Sequence, residues 1–176
     1  MTLIRDILFR PSAYYSRLGE SLPDFRQFLN SYGLPLMVLG AAGRMARVLV
    51  EQTLQGVVLR GDQLAVVFLI NLVAFFVSMW VGSLLISKMA PSFKSQGQPQ
   101  TIMVLIMSSY APFMLSQPLA AISPNMSPIS LLGLFYTVYL FWAGSQPVLG
   151  TPDHKRVGFT LAGFFIILGI AAITIV

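Results

Sequence analysis

The stretch GAAGRMARVLVEQ, Gly40–Gln52, sets Arg44, Arg47 and Glu51 inside an otherwise apolar run. YGLPLMVL (Tyr32–Leu39) precedes it and TLQGVVL (Thr53–Leu59) follows it. Two readings compete. The whole run is one membrane span with a polar stripe, or a shorter span stops near Gly43 and the rest lies outside as an interfacial helix. The second reading puts two arginines on the side of the membrane that is otherwise poor in them, against the positive-inside rule. The first reading therefore sets the fold.

The rest of the chain agrees. It has 176 residues, of which 56% are hydrophobic and 10% charged, with a mean hydropathy of +0.76. Soluble domains carry about 25% charged residues, so so little charge points to a core facing lipid. There is no cysteine, which removes disulfides, thiolate metal sites and a cysteine nucleophile, and one histidine is too few for an imidazole metal site. The net charge of +5 follows from basic loops and a basic N-terminal segment, so no nucleic-acid partner is expected. The opening MTLIRDILFRP has no long apolar run before its charges, so no cleavable signal peptide is expected.

Apolar segments long enough for a bilayer core of about 30 Å lie near Tyr32–Val58, Leu64–Ser87, Ile102–Ile122, Ser130–Leu149 and Val157–Val176. LRGDQ, APSFKSQGQPQ, SPNMSP and GTPDHKR separate them with turn-forming proline, glycine and asparagine. The expected fold is all-α: a polytopic membrane protein of five transmembrane helices, with amphipathic interfacial helices at the N-terminus. Residues 1–31 form the cytoplasmic or interfacial segment and residues 32–176 a single transmembrane domain. Arg5, Arg10, Arg17 and Arg26, then Lys88 and Lys94, then Lys155 and Arg156 fall on one side. The charge rule makes that side cytoplasmic and the C-terminus non-cytoplasmic. In the first segment, Tyr14, Tyr15 and Leu18 alternate with Arg10 and Arg17, and Phe25, Phe28 and Leu29 with Asp24 and Arg26, a pattern suited to the headgroup layer.

ILFRPSAYYSRL (Ile7–Leu18), SSYAPFML (Ser108–Leu115) with Tyr110 and Pro112, and LFYTVYLFWAGSQPVLGTPDHKRVGFTL (Leu134–Leu161) with Gly144, Pro147, Gly150 and Pro152 together resemble the Yip family of Ypt/Rab-interacting five-span membrane proteins, in its short bacterial branch. The resemblance covers most of the chain. It implies a five-helix bundle, a cytoplasmic N-terminus and no known catalytic activity; the expected function is a non-enzymatic membrane-organising or interaction role in a bacterial inner membrane, with no cofactor. The chain lacks the long N-terminal region with an Asp-Leu-x-Gly-Pro motif found in eukaryotic members, so Rab binding is not carried over.

The chemistry-bearing residues are few. At 100° per residue, Gly33, Met37, Gly40, Arg44, Arg47, Glu51 and Gln55 share one face. With a span beginning near Leu34, Arg44 falls near the midplane. An arginine there costs about 2.5–3.5 kcal/mol on insertion scales, and Glu51 offsets part of it from i+4 of Arg47. Further acceptors are expected on the third span, where Pro112 frees the Ser108 carbonyl and Ser108 and Tyr110 add hydroxyls. The candidate polar intramembrane site is therefore Arg44, Arg47, Glu51, Ser108, Tyr110 and Pro112. An anionic lipid headgroup or small anion would supply the missing negative charge; a structural ion pair, or arginines that snorkel, are the bland alternatives. A transporter or channel using this face is the rival function. A homo-oligomer or a membrane-protein partner fits the interaction reading.

Weaker signals point to packing. The serine of WAGSQP lies well before the only histidine, His154, too far for a triad. SFKSQGQ lacks the order of a phosphate loop. Gly158, Ala162 and Gly163 read as small-residue packing positions. Phe135, Tyr136, Tyr139, Phe141 and Trp142 read as packing or interface anchors.

Overall fold

The computed structural model describes residues 2–174, with side chains from 3 to 169. The described residues form helices and no strands. The order is α1 (Thr2–Phe9), α2 (Pro11–Glu20), α3 (Phe25–Phe28), a π-helical turn (Leu29–Gly33), α4 (Leu34–Leu54), α5 (Gly61–Met89), α6 (Pro99–Ser109), α7 (Ala111–Ala120), α8 (Pro128–Leu149) and α9 (Asp153–Thr174). Short 3₁₀ turns at Ala90–Phe93 and Pro124–Met126 punctuate the chain. The boundaries have local causes. Pro11, Pro99 and Pro128 open their helices, where the missing N–H costs nothing. Asp24 caps α3 by accepting from the Gln27 amide at 2.9 Å. Gly150 ends α8 in the left-handed region at φ 64°, which lacks a steric penalty only for glycine.

Four continuous helical runs are long and apolar enough to cross a membrane: Phe25–Leu54, Gly61–Phe93, Pro99–Ala120 and Pro124–Leu149. They cover the first four expected spans. The helix α9 covers the fifth, whose last two residues lie outside the described residues. The protein is thus an all-α polytopic membrane protein. The first run starts at Phe25 rather than Tyr32, because the π turn carries α3 into α4 without a break. The expected division at residue 31/32 therefore falls within a helix.

The third run is the axis of the bundle. Every residue from Ile102 to Ala111 is buried. The run is interrupted at Tyr110, where α6 gives way to α7 and Pro112 stands in the first turn. Around it pack α4 on α7, α8 on both α6 and α7, and α5 on α6, with α9 against α5 and α8. Glycines set the closest approaches. A Cβ on Gly43 would lie 2.4 Å from the Pro118 backbone nitrogen, and one on Gly133 would lie 2.9 Å from the Pro112 carbonyl oxygen.

The amphipathic helices form, and their apolar face has a protein partner. Tyr14, Tyr15, Leu18 and Ile7 are buried. Gly19 packs on the Pro147 carbonyl and Tyr15 on Gly144, so α2 runs beside α8 in the same direction. The Tyr136 hydroxyl donates to the Leu8 carbonyl at 2.6 Å and pins the turn of the α1–α2 hairpin.

One end of the bundle is locked by polar contacts. The Gln96 amide donates to the Leu149 carbonyl at 2.7 Å, and the Ser95 and Thr151 hydroxyls bond at 2.8 Å. Lys155 donates to the Ser92 carbonyl at 2.9 Å. With Gly19 on Pro147, these contacts bring the C-terminal end of α2, with Arg17, to the same end as the Lys94 and Lys155 segments; Arg10, at the hairpin turn beside Leu8, lies further along α8, level with Tyr136.

Candidate functional site

The expected site separates into two clusters. Arg44 lies on α4 and turns toward α5. Its guanidinium donates to Asn71 Oδ1 at 3.2 Å and lies 5.1 Å from the centre of the Phe75 ring, a cation–π distance. Asn71 is held in turn by its amide donating to the Val67 carbonyl at 2.8 Å. Arg47 and Glu51 pair at 2.8 Å across one helical turn, as their spacing predicts, with side chains 38% and 42% exposed. This pair is not enclosed by protein.

Depth explains the difference. Gly33 already packs on Met107, well along α6, and Gly43 packs on Pro118 near the end of α7. Arg44 is therefore level with the end of the central run, not its middle. The midplane expectation assumed that the helix begins at Leu34, and it begins earlier. Arg47 and Glu51 lie another turn and two turns beyond.

Ser108 belongs elsewhere. Its hydroxyl donates to the Val104 carbonyl at 2.7 Å and meets the Tyr14 hydroxyl at 3.0 Å. A serine has one hydrogen to give, so Tyr14 is the donor in that pair. The same holds one residue on, where Ser109 donates to the Leu105 carbonyl at 2.8 Å and Tyr15 donates to Ser109 at 3.1 Å. A tyrosine pair thus docks α2 onto a serine pair in the core of α6. Tyr110 is buried with its ring edge-on to Phe113 at 6.0 Å. Pro112 is half-buried against Gly133. The structure brings α4 and α7 together, yet it gives Arg44 to Asn71 and Ser108 to Tyr14.

Two polar arrangements escaped the sequence reading. Pro147 removes the amide that would bond the Ala143 carbonyl. Arg156, arriving from α9 after the Gly150 turn, donates to that carbonyl at 3.2 Å, to the Trp142 carbonyl at 2.9 Å and to Gln146 Oε1 at 2.9 Å. Its guanidinium also lies 3.9 Å from the Trp142 ring centre. A proline followed closely by a left-handed glycine and an arginine was the available signal. The second arrangement is the groove at the open end of the α1–α2 hairpin, about 330 Å³ in volume, lined by Leu3, Asp6, Tyr14, Arg17, Leu18, Ser21, Pro23 and Phe28. Arg17 bonds Asp6 at 2.7 Å on its wall. No periodicity announces it, because its parts come from three separate helices.

Among the described residues, no group of three or more His, Cys, Asp or Glu side chains is placed to hold a metal ion. No curated protein and no solved structure matches the chain. A family model does, that of the Yip1 domain, over residues 5–176. The Yip1 family is not known as an enzyme family. The match spans nearly the whole chain, including most of the N-terminal hairpin, the axial run with Pro112 and the Pro147–Arg156 corner, and by that extent the protein belongs to the Yip1 domain family.

Proposed function

We propose that this protein is a non-enzymatic, membrane-organising or interaction protein of the bacterial inner membrane. It crosses five times, with its N-terminus in the cytoplasm and its C-terminus on the far side. Its partners are bilayer lipids and either a second copy or another membrane protein.

The burial of the axial run carries this reading. From Ile102 to Ala111 each side chain is enclosed by protein, and Ser108 and Ser109 spend their hydrogens on local carbonyls. A conduit along the bundle axis would need polar groups left facing a shared space; here the hydroxyls close on one another. The meeting of the Arg17 end of α2 with the Lys94 and Lys155 segments at one end supports the orientation, since basic loops stay cytoplasmic.

The test is solute and ion flux in liposomes, with the wild type beside a triple variant, Arg44→Met, Arg47→Leu and Glu51→Leu. The expected result is no flux above empty liposomes from either. Reproducible flux through the wild type, lost in a triple variant that still folds, would replace this reading with a transporter using the Arg44 face.

A further inference from the structure

The groove of the N-terminal hairpin has the chemistry of a lipid site. Its polar wall is an ion pair, Arg17 with Asp6, whose side chains are 65% and 31% exposed. The remainder is largely apolar: Leu3, Leu18, Pro23 and Phe28, with the Tyr14 ring and Ser21. Its volume of about 330 Å³ is at the low end of small-molecule sites, about 300–1,000 Å³. That holds a headgroup and the start of one chain, not a whole phospholipid.

A second observation lies behind Phe28. The Tyr32 ring packs against the Phe28 ring at 5.0 Å, and the Tyr32 hydroxyl is buried with no hydrogen-bond partner. Tyr32 belongs to the π-helical turn Leu29–Gly33. Such turns recur at functional sites, and an orphaned buried hydroxyl calls for an explanation. The Tyr14 and Tyr15 hydroxyls are already spent on Ser108 and Ser109, so Tyr32 is the unpaired tyrosine of this corner, enclosed behind the Phe28 wall of the groove.

From these groups we infer that the groove binds one amine-bearing zwitterionic phospholipid. The lipid phosphate replaces Asp6 on the Arg17 guanidinium, and the ammonium takes the Asp6 carboxylate in exchange. One acyl chain starts along Leu3, Leu18 and Phe28. The carboxylate decides the class. A purely anionic headgroup would meet Asp6 as a like charge, whereas phosphate and ammonium together match the pair sign for sign. A choline headgroup carries the charge but has no N–H to donate to Asp6. The site goes beyond the role proposed above, and it draws on that reading only for the leaflet that supplies the lipid.

The experiment is native mass spectrometry of the full chain in detergent. The added probes are phosphatidylethanolamine, phosphatidylglycerol, phosphatidylcholine, and glycerophosphoethanolamine, which has no acyl chains. The wild type should bind phosphatidylethanolamine about tenfold tighter than phosphatidylglycerol, the size of effect one charged hydrogen bond gives. Arg17→Gln should weaken phosphatidylethanolamine about tenfold. Asp6→Asn should bring phosphatidylethanolamine and phosphatidylglycerol to within about twofold of each other. Arg60→Gln breaks a comparable exposed pair, Arg60–Asp62, away from the groove and should change nothing. Equal binding of phosphatidylethanolamine and phosphatidylglycerol by the wild type overturns the inference without any variant having to fold, as does a preference for phosphatidylglycerol. Glycerophosphoethanolamine binding as tightly as the lipid would make the occupant a soluble phosphodiester instead. Lipid selectivity in detergent is read independently of flux, so either result can fail alone.

Discussion

At the residue scale, glycine and proline do more to shape this bundle than any charge. Gly43 permits α4 to touch the backbone of α7, and no side chain fits there because the nearest atom, 2.4 Å from a built Cβ, is backbone. Gly43→Ala should destabilise the protein by about 1–3 kcal/mol through overpacking. Gly61→Ala, at the start of α5 with open space around it, should be neutral or slightly stabilising. Thermal unfolding in one detergent compares the two. Arg156 has a different logic. Its worth depends on Pro147, whose missing amide leaves the Ala143 carbonyl to be satisfied from outside the helix. Arg156→Leu should cost about 1–3 kcal/mol. The same change on a Pro147→Ala background should cost less, since the helix can then bond its own Ala143 carbonyl. A double-mutant cycle measures the coupling. Glu51→Gln is the contrast. With the Arg47–Glu51 pair about two-fifths exposed and one to two turns beyond the end of the central run, the loss should stay within about 1 kcal/mol.

At the element scale, the N-terminal hairpin is a packed part of the fold. Its tyrosines anchor α2 on α6, with burial pushing the Tyr15 phenol far above its ordinary range and raising Tyr14 as well. A phenol whose folded value lies above its unfolded value holds its proton better in the native state. Its contribution is therefore complete below the ordinary tyrosine value of 10.0 and declines as pH rises beyond it. Stability should be level from neutral pH to about pH 9 and fall above about pH 10. Tyr15→Phe should be less stable at pH 7, because the Ser109 pairing is lost, and should fall less steeply in alkali. Chemical unfolding across pH 7–11 reads both effects; an identical alkaline slope in the variant would remove Tyr15 from this role.

At the scale of the whole molecule, the bundle is organised about the enclosed axial run, with Arg17, Lys94 and Lys155 at one end. A reporter fused after Lys94 should read as cytoplasmic and one fused after Val176 as non-cytoplasmic. Both on one side would break the five-span proposal. The sequence by itself determined the membrane class, the all-α fold and the family resemblance. Each rests on local or summed properties: apolar length against bilayer thickness, turn chemistry at SPNMSP and GTPDHKR, and the proline and glycine spacing of the second half. It also anticipated the Arg47–Glu51 pair, because i,i+4 geometry is fixed within one helix. Only the tertiary structure decided which elements meet. The polar partners of Arg44 and Ser108 lie on other helices, separated by 27 and 94 residues, and a hydroxyl in the core can be satisfied by any helix that reaches it. Helical period fixes the face a residue occupies. The level and the neighbour of that face follow from packing the whole chain, which is why α2, read from its pattern as a helix for the headgroup layer, buries its tyrosines against α6 and α8.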